Sequence, residues 1–158
     1  QSTSGVLLLA KNKPTHQALQ QQFISRTIEK SYVALLEGII PNASGRIDLR
    51  QRLDYENRPR QMVSEDGKRS ITEYEVISVE GSRTRIRLCP ITGRTHQLRL
   101  HAAHHLGLGT PIVGDDIYGR ECKADLSDGH RLCLHAERIV FTHPRTGKRI
   151  VIDCKEEF

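Results

Sequence analysis

The run Arg83-Thr84-Arg85-Ile86-Arg87-Leu88 alternates charged and core-type side chains at every second residue. A period of two belongs to a strand, whose successive side chains point to opposite faces; a helix cannot segregate it. Ile71 to Val79 reads as a second strand before it, and Glu80-Gly81-Ser82 joins the two. Such a pair commits the chain to a sheet with Thr84, Ile86 and Leu88 turned to a core and Arg83, Arg85 and Arg87 on the other face. Two readings of that cationic face stand side by side, a solvated sheet face and a face presented to RNA.

The remaining elements follow from shorter signals. Val6 to Ala10 reads as a buried strand. Asn12 or Thr15 is placed to cap a helix carrying Ala18, Leu19, Phe23 and Ile24 on one face. Lys30 to Gly38 reads as a strand with Tyr32, Ala34 and Leu36 on one side, and Pro41 to Gly45 as a turn. Arg46 to Lys68 is polar and poor in periodicity, a long surface loop or hairpin of the kind that is usually functional. Pro90 to Gly93 forms a turn, Thr95 caps a helix to about His105, and Gly107 to Pro111 ends it. After a polar stretch from Gly119 to Arg131, two strands close the chain, Leu132 to Phe141 and Lys148 to Cys154. The mixture predicts an α+β fold, a mostly antiparallel sheet flanked by a few helices and long loops, in one domain spanning the 158 residues.

The formal charge of +5 favours anionic partners, nucleic acid first, and Arg outnumbers Lys between Arg46 and Arg99, which suits phosphates and stacked bases. No apolar run approaches the roughly 20 residues of a membrane span. The first residues lack the basic start of a signal peptide. Four cysteines, Cys89, Cys122, Cys133 and Cys154, form no C-x-x-C pair and are expected as reduced thiols, with Cys89 and Cys154 in the core. His101, His104 and His105 cluster, and Cys122, His130 and Cys133 could bind zinc, but no set has the paired spacings of a structural site, so no metal is expected. No nucleophile elbow and no phosphate-cradling glycine loop is present in the sequence.

One segment concentrates chemistry. Pro90-Ile91-Thr92-Gly93-Arg94-Thr95-His96-Gln97-Leu98-Arg99 joins a turn to a short helix and carries two guanidiniums. Helical spacing puts Arg94 and Arg99 about 140° apart, so one can reach a phosphate while the other enters a cleft. A buried Arg needs a carboxylate, and Asp115 and Asp116 are candidates by sequence proximity alone.

Gly93 to Arg99, with Pro111-Ile112-Val113-Gly114-Asp115-Asp116-Ile117-Tyr118-Gly119, resembles the signature of the RluA-type pseudouridine synthases. So do Thr3 to Lys11, Lys30-Ser31-Tyr32-Val33-Ala34, and Leu134-His135-Ala136 with His143-Pro144. Asn57-Arg58-Pro59-Arg60-Gln61 and Ile71 to Val76 push the resemblance toward members that modify uridines in large-subunit ribosomal RNA and in tRNA. His101 to Thr110 is slightly longer than the family's common form.

The resemblance implies isomerisation of uridine to pseudouridine with no cofactor, in a monomeric cytoplasmic protein whose partner is an RNA stem-loop. In the family, Thr-Ser-Gly follows His-Arg-Leu-Asp and two further residues, which places the nucleophilic Asp just before Gln1. Residues 1–158 are therefore expected to be a catalytic domain truncated at its N-terminus and inert alone. Arg99 takes the role of ion-pairing that Asp. Tyr32 stacks on the uracil and can take part in proton removal; a core aromatic with a satisfied hydroxyl is its other reading. Leu134 lines the base pocket, Arg94 and His96 touch RNA backbone, and Arg58 and Arg60 contact the stem-loop. A non-catalytic RNA-binding module and a zinc-dependent nucleic-acid protein are the alternatives.

Overall fold

The computed structural model describes residues 3–119 and 131–158. Its elements in chain order are β1 (Ser4–Gly5), α1 (Lys13–Ile24), β2 (Glu29–Leu36), β3 (Ser44–Leu53), β4 (Gln61–Val63), β5 (Lys68–Glu80), β6 (Arg83–Pro90), α2 (Gln97–Ala103), β7 (Leu134–Thr142) and β8 (Arg149–Asp153). The strands form one sheet in the order β1-β7-β2-β6-β5-β3-β4, with β8 also on β7. Only β1 and β7 run parallel; every other pairing among the described residues is antiparallel. The α+β expectation holds.

The alternation of β6 does what its period dictates. Thr84, Ile86 and Leu88 are fully buried, and Ile86 and Leu88 join Ala34 and Leu36 of β2 in a cluster closed by Leu98 and Ala102 of α2. A buried Leu or Ile contributes about 1.5–3 kcal/mol, so this cluster fixes the register of the central strands. The opposite face is charge-paired. Arg87 donates to Glu137 at 3.1 Å and lies 3.6 Å from Glu75, while Arg85 meets Glu80 at 2.6 Å and Glu156 at 3.5 Å. Those carboxylates already occupy Arg85 and Arg87, which favours the solvated reading of the face over an RNA-facing one.

Three expectations are corrected. Val6 to Ala10 is not a strand: only Ser4–Gly5 pairs, and Leu7 and Leu9 are 71% and 76% exposed. Val6, Leu8 and Ala10 instead pack against Leu19, Ile28, Ile139 and Phe141. Helix α1 is capped by Asn12, whose side chain accepts from the Thr15 amide at 3.0 Å, but of its apolar face only Leu19 is buried. Phe23 and Ile24 are exposed, with the Lys30 ammonium 5.6 Å from the Phe23 ring. Of the two forms expected for Arg46 to Lys68, the hairpin is the one present, built from β3 and β4 with 54–60 at its tip. Cys154 is exposed and Cys89 half-buried, so neither sits in the core. Cys122 and His130 lie outside the described residues, and among the described ones no three His, Cys, Asp or Glu side chains are grouped to hold a metal ion. No described helix is long and apolar enough to cross a membrane.

His101 of α2 is fully buried, with Nε2 2.9 Å from the Ser70 hydroxyl and Nδ1 without a partner among the described residues. Burial pushes its pKa down to about 4 from the ordinary 6.5. The folded state therefore refuses a proton that the unfolded chain accepts below 6.5. Stability from this group is intact above pH 6.5 and is lost as pH falls toward 4, by about 3 kcal/mol in total. Urea midpoints measured across that window are expected to fall steeply for the wild type and less steeply for His101→Gln; equal slopes would refute the assignment.

A candidate active-site cleft

A cleft of about 450 Å³ opens where β2, β6, β7 and the start of α2 converge. Thr3, Lys30, Tyr32, Gly93, Arg94, His96, Arg99 and Leu134 are among its lining residues. Five of the seven residues singled out from sequence are thus in one place: Tyr32, Leu134, Arg94, His96 and Arg99. Arg58 and Arg60 do not line it; they are exposed on the β3–β4 tip, where Arg58 sits 5.3 Å from the Tyr55 ring.

Tyr32 is aimed by an irregularity. Along β2 and β7 the register passes from Ser31↔Arg138 to Tyr32↔Ala136, leaving Glu137 unpaired as a bulge. A bulge re-aims the neighbouring side chain. The Tyr32 ring packs on the central cluster and lines the cleft, and its hydroxyl makes no hydrogen bond among the described residues. A core tyrosine with a satisfied hydroxyl is therefore not what stands here. Burial holds its phenol above the ordinary value, so it is protonated at neutral pH. Burial also lowers the pKa of Lys30, two residues away on the same strand and facing the same cleft.

Arg99 is 7% exposed. Its Nε donates to Asp115 Oδ2 at 2.8 Å, and its Nη2 to Asp115 Oδ1 at 2.5 Å and Asp116 Oδ1 at 2.6 Å. These bonds leave Nη1 unused. Asp115 has a fully buried side chain, and its Oδ1 also accepts the amides of Ile117 and Tyr118. The partner weighed on proximity alone is thus the main one, and neither acid lines the cleft. The loop reaches α2 because Leu36 bridges to Ile112, the Glu37 amide donates to Pro111, and the Val113 amide to Leu35. Gly114 enters the turn at φ +73°, where a Cβ would lie 2.4 Å from the Arg131 carbonyl, so only glycine fits.

The start of α2 departs from the expected Thr95 cap. The helix begins at Gln97, and His96 before it is left-handed at φ 52° with no side-chain cap bond. Arg94 therefore lies outside the helix, and both arginines reach the same cleft, contrary to the helical-spacing estimate. Gln97 holds this turn. Its Nε2 donates to the Ile71 carbonyl and Thr72 hydroxyl, and its Oε1 accepts from the Thr92 hydroxyl and Arg94 amide. Gln51 of β3 adds a bond from its Nε2 to the Thr95 carbonyl at 2.8 Å. Burial, and then the Arg99 charge, lower the His96 pKa, so the ring beside this cation is neutral at pH 7. Lys30, Gln97 and Tyr118 went unassigned in the sequence; Lys30 was legible only as the residue two before Tyr32.

The profile of the RNA pseudouridylate synthase family matches residues 1–104. This chain belongs to that family. It is 41% identical to the dual-specificity RNA pseudouridine synthase RluA of Haemophilus influenzae over 159 aligned positions, covering 99% of this chain and 70% of that protein. The corresponding figures for the Yersinia pestis RluA are 43% identity over 160 positions, 99% and 75%. Among solved structures, human RNA pseudouridylate synthase domain containing 1 superposes with a TM-score of 0.80 at 30% identity, over 98% of this chain and 65% of that one. As a pseudouridylate synthase domain, the chain draws all the cleft residues but Leu134 from the matched region, while Asp115, beyond residue 104, holds Arg99 from outside the cleft.

Proposed function

We propose that this protein isomerises uridine to pseudouridine in structured RNA of the ribosomal large subunit, tRNA or both. Its nucleophile is an aspartate that precedes Gln1, and residues 1–158 belong to the single catalytic domain that it completes. The observation that carries this is the meeting of Arg99, Tyr32 and Leu134 in one cleft with Thr3 at its edge. Strand β1 pairs Ser4 with His135 and Gly5 with Ala136, next to Leu134, which holds Thr3 at the cleft.

The chemistry balances without a second substrate. The bond from uracil N1 to the ribose C1′ breaks, the base turns, C5 bonds to C1′, C5 loses a proton and N1 gains one. No electron is gained or lost overall, so no redox cofactor is needed. A carboxylate nucleophile must stay ionised in a cleft that excludes water, and burial alone would protonate it. Arg99 supplies the cation, with Asp115 holding two of its nitrogens and leaving Nη1 for the incoming carboxylate. Tyr32 stacks on the uracil; because burial keeps it protonated, it takes the C5 proton only after its own has moved elsewhere. Arg94 and His96 meet the backbone at the cleft, and Arg58 and Arg60 hold the stem-loop. Extruding the base costs a few kcal/mol, which these phosphate contacts offset. The protein acts in the cytoplasm as a monomer.

A pure RNA-binding module is the competing reading. Tritium release from RNA labelled at uridine C5 separates the two. Protein that includes the upstream aspartate is expected to release tritium, and residues 1–158 alone to bind RNA and release none. Binding without release by the longer protein as well supports the module.

A further inference from the structure

Tyr118 belongs to no role assigned so far, yet it connects the two halves of the site. Its ring lies 5.6 Å from the Arg99 guanidinium and 5.2 Å from that of Arg60. Its hydroxyl accepts the Gln61 amide at 2.7 Å, approaches the Gln61 carbonyl at 3.4 Å, and is 3.3 Å from His96 Nδ1. The His96 ring meets it edge-on with centroids 5.9 Å apart. The backbone amide of Tyr118 donates to the same Asp115 carboxylate that clamps Arg99. Gln61 opens β4, and Arg60 is the residue before it. One buried side chain is thus fastened to the hairpin by its hydroxyl and to the Arg99 clamp by its backbone and ring.

We infer that Tyr118 is a positioning residue that couples the grip of the β3–β4 hairpin on RNA to the placement of Arg99. This rests on the RNA-modifying function proposed above. When Arg60 is free, its guanidinium shares the Tyr118 ring with Arg99, and like charges on one ring work against each other. When a phosphate neutralises Arg60, that competition ends. The hairpin backbone, fixed to the Tyr118 hydroxyl, then presses the ring and the Asp115 turn into the position that holds Arg99. Arg99, already clamped by Asp115 without RNA, is thereby brought to its final position when RNA is held. Displacements of about 1 Å in a positioned group can change turnover up to a hundredfold, so a small shift of this linkage is enough.

The test uses the whole protein, upstream segment included, and an RNA stem-loop. Two quantities are read: the NMR shift of the Arg99 Nε–H on RNA addition, and kcat and KM from tritium release. RNA is expected to move the Arg99 signal in the wild type and not in Tyr118→Leu or Arg60→Ala. Tyr118→Leu is expected to lower kcat about tenfold with KM nearly unchanged. Arg60→Ala should lower kcat in the wild-type background but only raise KM in the Tyr118→Leu background. Tyr118→Phe keeps the ring and its packing, and its RNA-induced shift should fall to about half or less, a result that does not depend on Tyr118→Leu folding. An Arg99 shift equal in wild type and all variants, or absent from the wild type, overturns the coupling. A wild-type shift that vanishes in the variants, with no tritium release by any form, upholds the coupling and refutes the isomerase function alone.

Discussion

Arg99→Lys, made in the protein that carries the upstream aspartate, is expected to reduce turnover about a thousandfold while leaving RNA affinity within about twofold. The charge survives this change, but the geometry does not. Asp115 takes Nε and Nη2 of the guanidinium, and Asp116 shares Nη2. A planar fork can hold Asp115 along one edge and still present Nη1 to another carboxylate. A lysine ammonium is a single point and can serve Asp115 or the nucleophile, not both. RNA affinity should stay because the hairpin tip and Arg94 are untouched. Single-turnover tritium release at saturating RNA measures the effect; turnover within tenfold of wild type would mean that the guanidinium does not align the nucleophile.

Asp115→Ala should be the most destabilising polar change in the chain, at about 3–5 kcal/mol. It leaves the buried Arg99 without its main counter-ion and takes the acceptor from the Ile117 and Tyr118 amides. Domains of this size have only about 5–15 kcal/mol in total, so the variant should unfold at much lower denaturant or fail to accumulate. Asp115→Asn keeps an oxygen for the two amides and should cost less than Asp115→Ala. Urea unfolding of the three proteins checks this ranking. A loss below about 1 kcal/mol for Asp115→Ala would show that Asp116 suffices to hold Arg99.

The sheet was legible because its signal is periodic and redundant. Thr84, Ile86 and Leu88 against Arg83, Arg85 and Arg87 admit one arrangement, and burial follows it. Val6 to Ala10 misled because an apolar run says that some residues are buried without saying that they pair; here Leu8 packs and Leu7 and Leu9 do not. Loop and hairpin could not be told apart over Arg46 to Lys68 because β3 lies near the sheet edge and buries only Ile47 and Gln51, which blurs its period. The start of α2 was misplaced because Thr95 has the chemistry of a cap, while the turn before the helix is held by the Gln97 side chain, which folds back to accept the Arg94 amide.

Within the site, legibility divides by what each residue's role depends on. Tyr32, Leu134 and Arg99 were reached by resemblance and lie together in the cleft. The link from Arg99 to Asp115 could be weighed only by proximity, because a separation of 16 positions along the chain carries no distance information. Tyr118 stands in the Pro111 to Gly119 block that carries the resemblance, but its role was not legible: it depends on a contact with Gln61, 57 residues away, that only the folded hairpin creates. The cationic face of β6 shows the converse, a strong sequence signal in which Arg85 and Arg87 are taken up by Glu75, Glu80, Glu137 and Glu156.

The most direct measurement is a crystal structure of the protein with its upstream segment in place. The carboxylate immediately before Gln1 is predicted within about 4 Å of Arg99 Nη1, at ion-pair distance, with Tyr32 and Leu134 on either side. An Arg99 engaged by Asp115 and Asp116 alone, with that upstream side chain directed away from the cleft, would contradict the assignment.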